Sequence, residues 1–322
     1  MTGTGAGPAG TRPGRLIGRD RETTMVRAAL DAGRHLLIEG PAGAGKTELL
    51  RHACRGWSLV EVDATTVFSA GGLLGQTDPA GLLGAGRQNV VTERRSGFRP
   101  GPLVEAMRRG AVLVLDEVNR LSPDAFAALV PAMSEGEVTA PVLGTVRAAP
   151  GFRVVALSNP HDRTGTGAVP SAFLDRAVRL SVDHPGVPDA TAIVAQCVPT
   201  AGPGLVRQAV EAVRASRTHP ELAAGSSIRG AIDLCAVAGA LAGLGSPRPD
   251  DERRAARLAL TARIVPAAHC TRTVEALVDE LWDQAVLLSH RASGGRTGRR
   301  LPTSVLTTDS DADRDPTADI GS

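Results

Sequence analysis

Two groups of residues in this chain have the types and spacing to do chemistry. The first is Gly40-Pro41-Ala42-Gly43-Ala44-Gly45-Lys46-Thr47, a glycine, four residues, a second glycine, then a lysine and a hydroxyl side chain. Glycines let such a loop adopt backbone conformations closed to other residues, so its N–H groups can turn inward around a phosphate. The loop runs into a predicted helix, whose positive end faces the same anion. Lys46 is then placed for the β- and γ-phosphates of ATP, Thr47 offers its hydroxyl to Mg2+, and Gly40 through Glu48 line the nucleotide. The second group is Asp116-Glu117, reached directly from the apolar run Val112 to Leu115. Asp116 suits the metal and its water shell, and Glu117 suits the orientation and deprotonation of an attacking water. A third apolar run, Val154 to Leu157, ends in Ser158-Asn159-Pro160, which offers the Asn159 amide to the γ-phosphate or the water.

The elements that must hold these residues follow from periodicity. Short apolar runs predict strands at His35 to Ile38, Leu59 to Val62, Ala111 to Leu115 and Arg153 to Leu157. Between them, helical spacing covers Thr23 to Ala32, Lys46 to Cys54, Gly101 to Arg109 and Pro123 to Met133. Strand and helix in alternation predict an α/β fold, a P-loop three-layer α-β-α sandwich on a parallel sheet. From about Pro188 strands are expected to cease, and helices at Ala190 to Cys197, Leu205 to Ser216, Ser227 to Ala242, Asp250 to Ile264 and Arg272 to Leu288 build a small lid domain. The expected division is a disordered lead-in over 1–14, an ATPase core with insertions over 15–187, a helical lid over 188–290 and a disordered tail over 291–322.

Composition narrows the partners. The chain has 322 residues with 36 basic against 34 acidic side chains, a net charge of +2, which gives no bulk attraction for nucleic acid or anionic membrane. Aromatics are 2% and tyrosine is absent, so the core must be built from Leu, Val and Ala. No apolar run reaches the ~20 residues that cross a bilayer, and no signal-peptide core opens the chain, so a soluble cytoplasmic protein without membrane insertion is expected. Cys54, Cys197, Cys235 and Cys270 lack metal or disulfide spacing and read as buried free thiols, and the seven histidines read as surface and packing residues. Asp309, Asp311 and Asp313 mimic a calcium loop but lack its glycine and closing glutamate, and read with Arg296, Arg299 and Arg300 as a solvated tail.

The order of parts resembles AAA+ ATPases, and in detail the MoxR group with its relatives CbbQ and NorQ. Phe98-Arg99-Pro100-Gly101-Pro102-Leu103, Asp116-Glu117-Val118-Asn119-Arg120 and Ala156-Leu157-Ser158-Asn159-Pro160 carry the likeness, which spans about Leu16 to Leu288. The resemblance implies that Asn159 is the first sensor and Arg229, preceded by Ile228 where the family has proline, the second. It implies that Arg176, or another arginine such as Arg163, is a finger reaching a neighbouring subunit's ATP. Leu16-Ile17-Gly18-Arg19 resembles the segment that closes over adenine, making Ile17 and Gly18 nucleotide contacts. Two hairpin insertions would correspond to Gln88 to Pro100 and Glu137 to Ala149. The resemblance further implies a homo-oligomer, a hexameric ring, that hydrolyses ATP to remodel or activate a client protein, with a von Willebrand factor A domain protein as one expected partner. Two alternatives stand beside it. One is a nucleic-acid motor, kept open by Arg94, Arg95, Arg99 and Arg147 on the insertions, although nucleic acid is the less expected partner and Phe98 is their only aromatic. The other is a nucleotide-dependent assembly switch with little turnover, against which Lys46, Asp116 and Glu117 argue.

Overall fold

The computed structural model describes residues 15–77, 97–160, 167–244, 248 and 250–294. In chain order the first part runs α1 (Asp20–Asp31), β1 (His35–Glu39), α2 (Lys46–Ala53), β2 (Leu59–Asp63), α3 (Ala70–Leu74), β3 (Gly75–Thr77), β4 (Phe98–Pro100), α4 (Pro102–Arg109) and β5 (Val112–Asp116). It continues with α5 (Pro123–Ser134), β6 (Glu137–Ala140), β7 (Gly144–Arg147), β8 (Arg153–Ser158), α6 (Ser171–Leu174) and β9 (Ala177–Ser181). The helical part then holds α7 (Val187–Cys197), α8 (Pro203–Ser216), β10 (Leu222–Ala224), α9 (Ile228–Gly243), α10 (Asp251–Leu260), β11 (Val265–Pro266) and α11 (Val274–Gly294).

Five strands pair in the order β2-β5-β8-β1-β9, every described pairing parallel. The strand pleat divides their side chains between two layers of helices. Leu37, Leu113, Leu115, Val154 and Ala156 face a cluster completed by Leu103 and Met107 of α4 and by Phe126 and Leu129 of α5. Their neighbours Leu36, Ile38, Val112, Val114, Val155 and Leu157 face Val26 and Leu30 of α1 and Leu49 and Leu50 of α2. A central strand covered on both faces needs continuous apolar sequence, which is why Val112 to Leu115 and Val154 to Leu157 are uninterrupted. The helical part carries its own core, with Val194, Val210, Leu234, Leu260, Leu277 and Trp282 buried together.

Several expectations need correction. The sheet has a fifth strand, β9, that apolar run length does not reveal. As an edge strand with its residues only partly covered, it alternates Val178, Arg179 and Leu180 instead of running apolar. Strands also do not cease at Pro188, because β10 and β11 pair antiparallel within the helical part. The last helix continues to Gly294, past the expected start of the tail at 291. The hairpin at Glu137 to Ala149 is present as β6 and β7. The other insertion has Phe98–Pro100 as one arm, but its partner is Gly75–Thr77, upstream of the expected Gln88. Residues 88–96, Arg163 and both chain ends lie outside the described residues. Cys54 and Cys235 are buried free thiols, whereas Cys197 is exposed and Cys270 half-buried.

His35, the first residue of β1, ties the sheet together sideways. Its Nδ1 accepts from the Val154 backbone N–H at 2.9 Å, so Nε2 carries the proton and donates to the Met133 carbonyl at 3.0 Å. Burial, before any other cause, pushes its pKa below the ordinary 6.5. The folded chain therefore prefers neutral His35, and the unfolded chain takes up the extra proton as pH falls below about 6.5. The stability His35 contributes is present above that pH and declines below it. His35→Gln should cost about 1–3 kcal/mol near pH 7.5, and denaturant titrations of both chains should show the gap narrowing by pH 5.5. A gap independent of pH would show that His35 is not held neutral.

Candidate nucleotide site

The parallel arrangement brings all five strand ends to one edge of the sheet, and the residues of interest follow those ends. Asp116 closes β5 beside Asp63 at the end of β2. Ser158 closes β8 beside Glu39 at the end of β1, and Asn159 follows at once. Ligands of open α/β sheets collect at this edge because loops leave it toward both layers.

Between β1 and α2 the loop from Gly40 to Gly45 turns back on itself. Gly43 and Gly45 have φ of +72° and +90°, the left-handed region that favours glycine. Gly40 is constrained differently: a Cβ there would lie 1.9 Å from the Val182 carbonyl oxygen. The Lys46 ammonium folds over the loop and donates to the carbonyls of Gly40 at 2.7 Å and Pro41 at 3.0 Å. Its pKa is lowered, first by burial, with Asp116 and Glu117 opposing and Arg229 adding to the shift. An ammonium whose hydrogen bonds go to neutral carbonyls in a half-buried cleft is a point charge that an anion could hold more strongly. Thr47 donates its hydroxyl to Asp116 Oδ2 at 3.2 Å, so two hard oxygens stand together as a divalent cation of the Mg2+ type requires. This donor set fits the cation.

Glu117 follows with φ +53° and ψ +43°, its N–H donating to Asp116 Oδ1 at 3.0 Å and its carboxylate paired with Arg120. Lys46, Thr47, Asp116, Glu117, Asn159 and Arg229 line one cleft of about 400 Å3, together with Gly43, Gly45 and Glu48. A larger cavity of about 900 Å3 adjoins it through Ala42, Asn159 and Arg229, but contains neither Lys46 nor the acidic pair. The chemistry belongs to the smaller cleft.

Both parts of the molecule contribute walls. Arg229 and Ser227 come from the start of α9, and a Cβ on Gly43 would meet Ser227 Cβ at 2.4 Å. Gly18 lies against Asp189 of α7, and Arg19 donates to the Ala44 carbonyl at 3.2 Å and to the Asp183 carbonyl. The segment holding Ile17 and Gly18 therefore runs between phosphate loop and lid, although neither residue lines the cleft itself. Arg176 is also outside the cleft. It donates to Ser134 Oγ and the Ala172 carbonyl, both at 2.7 Å.

Arg19 belongs to a segment that the sequence singles out, but its bonds to the Ala44 and Asp183 carbonyls have no motif. Two further groups were not singled out by sequence. His184 sits at the junction with its pKa lowered to about 4, first by burial and then by Arg217. His219 meets Glu221 and Glu280, with ligand atoms within 4.8 Å of one another, but Arg272 pairs with both carboxylates at 3.0 and 2.5 Å, and the group is an ion network of the lid.

A phosphate-cradling loop, a metal-suited hydroxyl and carboxylate pair and a parallel sheet between two helical layers define a P-loop nucleotide-binding fold. Residues 35–177 match the family model described as the AAA domain, dynein-related subfamily. The chain is 29% identical to the uncharacterized protein YeaC of Bacillus subtilis (strain 168) over 255 residues, 70% of this chain and 75% of that protein. It is 30% identical to the uncharacterized protein SAB1265c of Staphylococcus aureus (strain bovine RF122 / ET3-1) over 163 residues, 49% of this chain and 59% of the relative. This chain thus spans under two thirds of that relative's length. Among solved structures, the Thermotoga maritima RuvB Holliday junction branch migration motor is similar with a TM-score of 0.47 and 16% identity, covering 75% of this chain and 70% of its own. Among the described residues no helix is long and apolar enough to cross a membrane.

Charge-assisted hydrogen bonds contribute about 1.5–3 kcal/mol, so Lys46→Ala should weaken binding of a fluorescent ATP analogue by roughly tenfold or more. Equal affinity in titrations of the two chains would remove Lys46 from the phosphate site.

Proposed function

We propose that the chain is a MoxR-type AAA+ ATPase that binds and hydrolyses ATP with Mg2+, in an oligomeric ring, to remodel or activate a partner protein. The observation that carries this reading is the convergence in one cleft of Lys46, Thr47, Asp116, Glu117, Asn159 and Arg229, drawn from three strand ends and from the lid.

In this reading the loop N–H groups and Lys46 hold the β- and γ-phosphates. Thr47 and Asp116 would hold the divalent cation, whose chemistry when bound is neutralisation of charge on those phosphates. Glu117 accepts the proton of a water that Asn159 helps orient. The water oxygen bonds to the γ-phosphorus, the bond to the β–γ bridging oxygen breaks, and ADP and phosphate remain. Arg229, from the lid, neutralises the transferring group and so couples lid position to phosphate state. Arg176, outside its own cleft, is a candidate finger toward a neighbour in a ring. A hexameric ring and a von Willebrand factor A domain partner are the expectations that go with the MoxR likeness.

The nucleic-acid motor finds less support. On the β6–β7 hairpin, Arg147 is paired with Glu137 at 2.7 Å, which neutralises the charge that would meet a phosphate backbone.

Glu117→Gln should keep ATP binding and lower turnover by at least about a hundredfold, the range of general-base contributions. Particle mass measured with ATP should show the mutant accumulating as a larger assembly than the wild type. Equal turnover of the two chains would show that Glu117 is not the base, and monomers under every nucleotide condition would sink the ring.

A further inference from the structure

Two side chains of the Asp116-Glu117-Val118-Asn119-Arg120 segment, Asn119 and Arg120, have no part in the mechanism above. Yet Arg120 makes the closest contact that Glu117 has. Its Nε lies 2.5 Å from Glu117 Oε2, three residues away across a single 3-10 turn, Val118–Arg120. One oxygen of the carboxylate, Oε2, is thereby engaged by a cation. On its other side Arg120 acts on Asp63, whose pKa is lowered first by the Thr65 bonds and, less strongly, by the Arg120 charge. Asp63 ends β2 directly beside Asp116. The guanidinium therefore stands within the field of two acids, both at the sheet edge where the cleft opens.

We propose that Arg120 is a latch on Glu117: in the resting chain it occupies the carboxylate that must accept the water proton, and turnover requires the pair to part. The proposal rests on the ATPase reading and adds its regulation. Two further observations argue that this turn can rearrange. Glu117 has φ +53°, a left-handed conformation that non-glycine residues seldom adopt and that concentrates at switch sites. Asn119 is only 7% exposed and lines the cleft, yet its Oδ1 is buried with no hydrogen-bond partner. A buried acceptor left unsatisfied is a standing cost, and a turn that rearranged to give it a partner would recover that cost. The latch itself is half-open to water, with the Glu117 and Arg120 side chains 48% and 33% exposed. Exposed pairs are weak and screened by salt. The resting arrangement is therefore held by a small margin, which a bound phosphate or a neighbouring subunit's charge could overturn.

The test compares four full-length chains: wild type, Arg120→Gln, Arg120→Lys and the double variant Arg120→Gln/Glu117→Gln. Each is first titrated with a fluorescent ATP analogue to establish that it folds and binds. ATP turnover is then measured against ATP concentration, and at saturating ATP as salt rises from about 0.1 to 1 M, where the screening length falls from about 10 to about 3 Å. The latch predicts that Arg120→Gln turns over about two- to fivefold faster than wild type, the span an exposed ion pair permits, with unchanged KM. Arg120→Lys should stay near wild type and the double variant should be inactive. Wild-type turnover should rise with salt while that of Arg120→Gln stays flat. Turnover by Arg120→Gln alone, with the wild type silent, would support a tighter latch. If the wild type hydrolyses ATP and Arg120→Gln equals it or falls below it, the latch is overturned while the ATPase reading stands. If no chain hydrolyses the ATP it binds, the ATPase reading fails and the latch with it.

Discussion

A parallel sheet buried on both faces has all its strands pointing the same way, and that direction is the constraint on which the site depends. Because β5, β8 and β1 are covered above and below by helices, their carboxyl ends emerge together at one edge and nowhere else. Register then decides which residues meet. The pairing of Asp63 with Asp116 and of Glu39 with Ser158 aligns the strand ends so that Asp116, Ser158 and the following Asn159 line one cleft. A slip of one residue would turn Leu115 or Leu157 out of its layer, so the packing that stabilises the sheet also enforces the alignment of the site.

Within that cleft the charges are arranged around an anion. Lys46 bonds to two carbonyls of its own loop, and burial already disfavours its charged form. Asp116 is shared between the Thr47 hydroxyl and the Glu117 N–H. Each of these bonds is modest and local, and each can be exchanged for a stronger one to phosphate or to a divalent cation without moving the strands. The site is thus rigid in its backbone and exchangeable in its polar contacts, which is what a preorganised phosphate site requires.

Much of this arrangement was legible in the sequence because it depends on local chemistry. The glycines and lysine of residues 40 to 47 mark a loop between a strand and a helix, and the apolar runs before Asp116 and Asn159, short and rich in valine, fit buried strands. Elements that are partly covered were not legible in the same way. Strand β9 alternates because it is an edge strand, and β10 and β11 are two or three residues long, too short for any period to appear. The contacts of Arg19 with the Ala44 and Asp183 carbonyls were invisible for another reason: a backbone carbonyl leaves no trace in residue type. Arg120 was visible as part of a motif, but its role depends on where a three-residue turn points it.

The junction between the two parts links these levels. Ser227, at the entrance to α9, occupies the space where a side chain on Gly43 would go, so the phosphate loop and the lid are in van der Waals contact at a point with no slack. Gly18 is pressed against Asp189 in the same way, and Arg19 beside it holds the carbonyls of Ala44 and Asp183. At Gly43 the loop and the lid are packed closely enough that an outward movement of the loop there would press on Ser227. A ligand that bound the loop with different affinity in different lid positions would therefore shift the lid, by as much as that difference allows and no more. Arg229 makes the difference electrostatic, because it belongs to the lid yet faces Lys46 across the cleft, where the two cations repel until an anion lies between them.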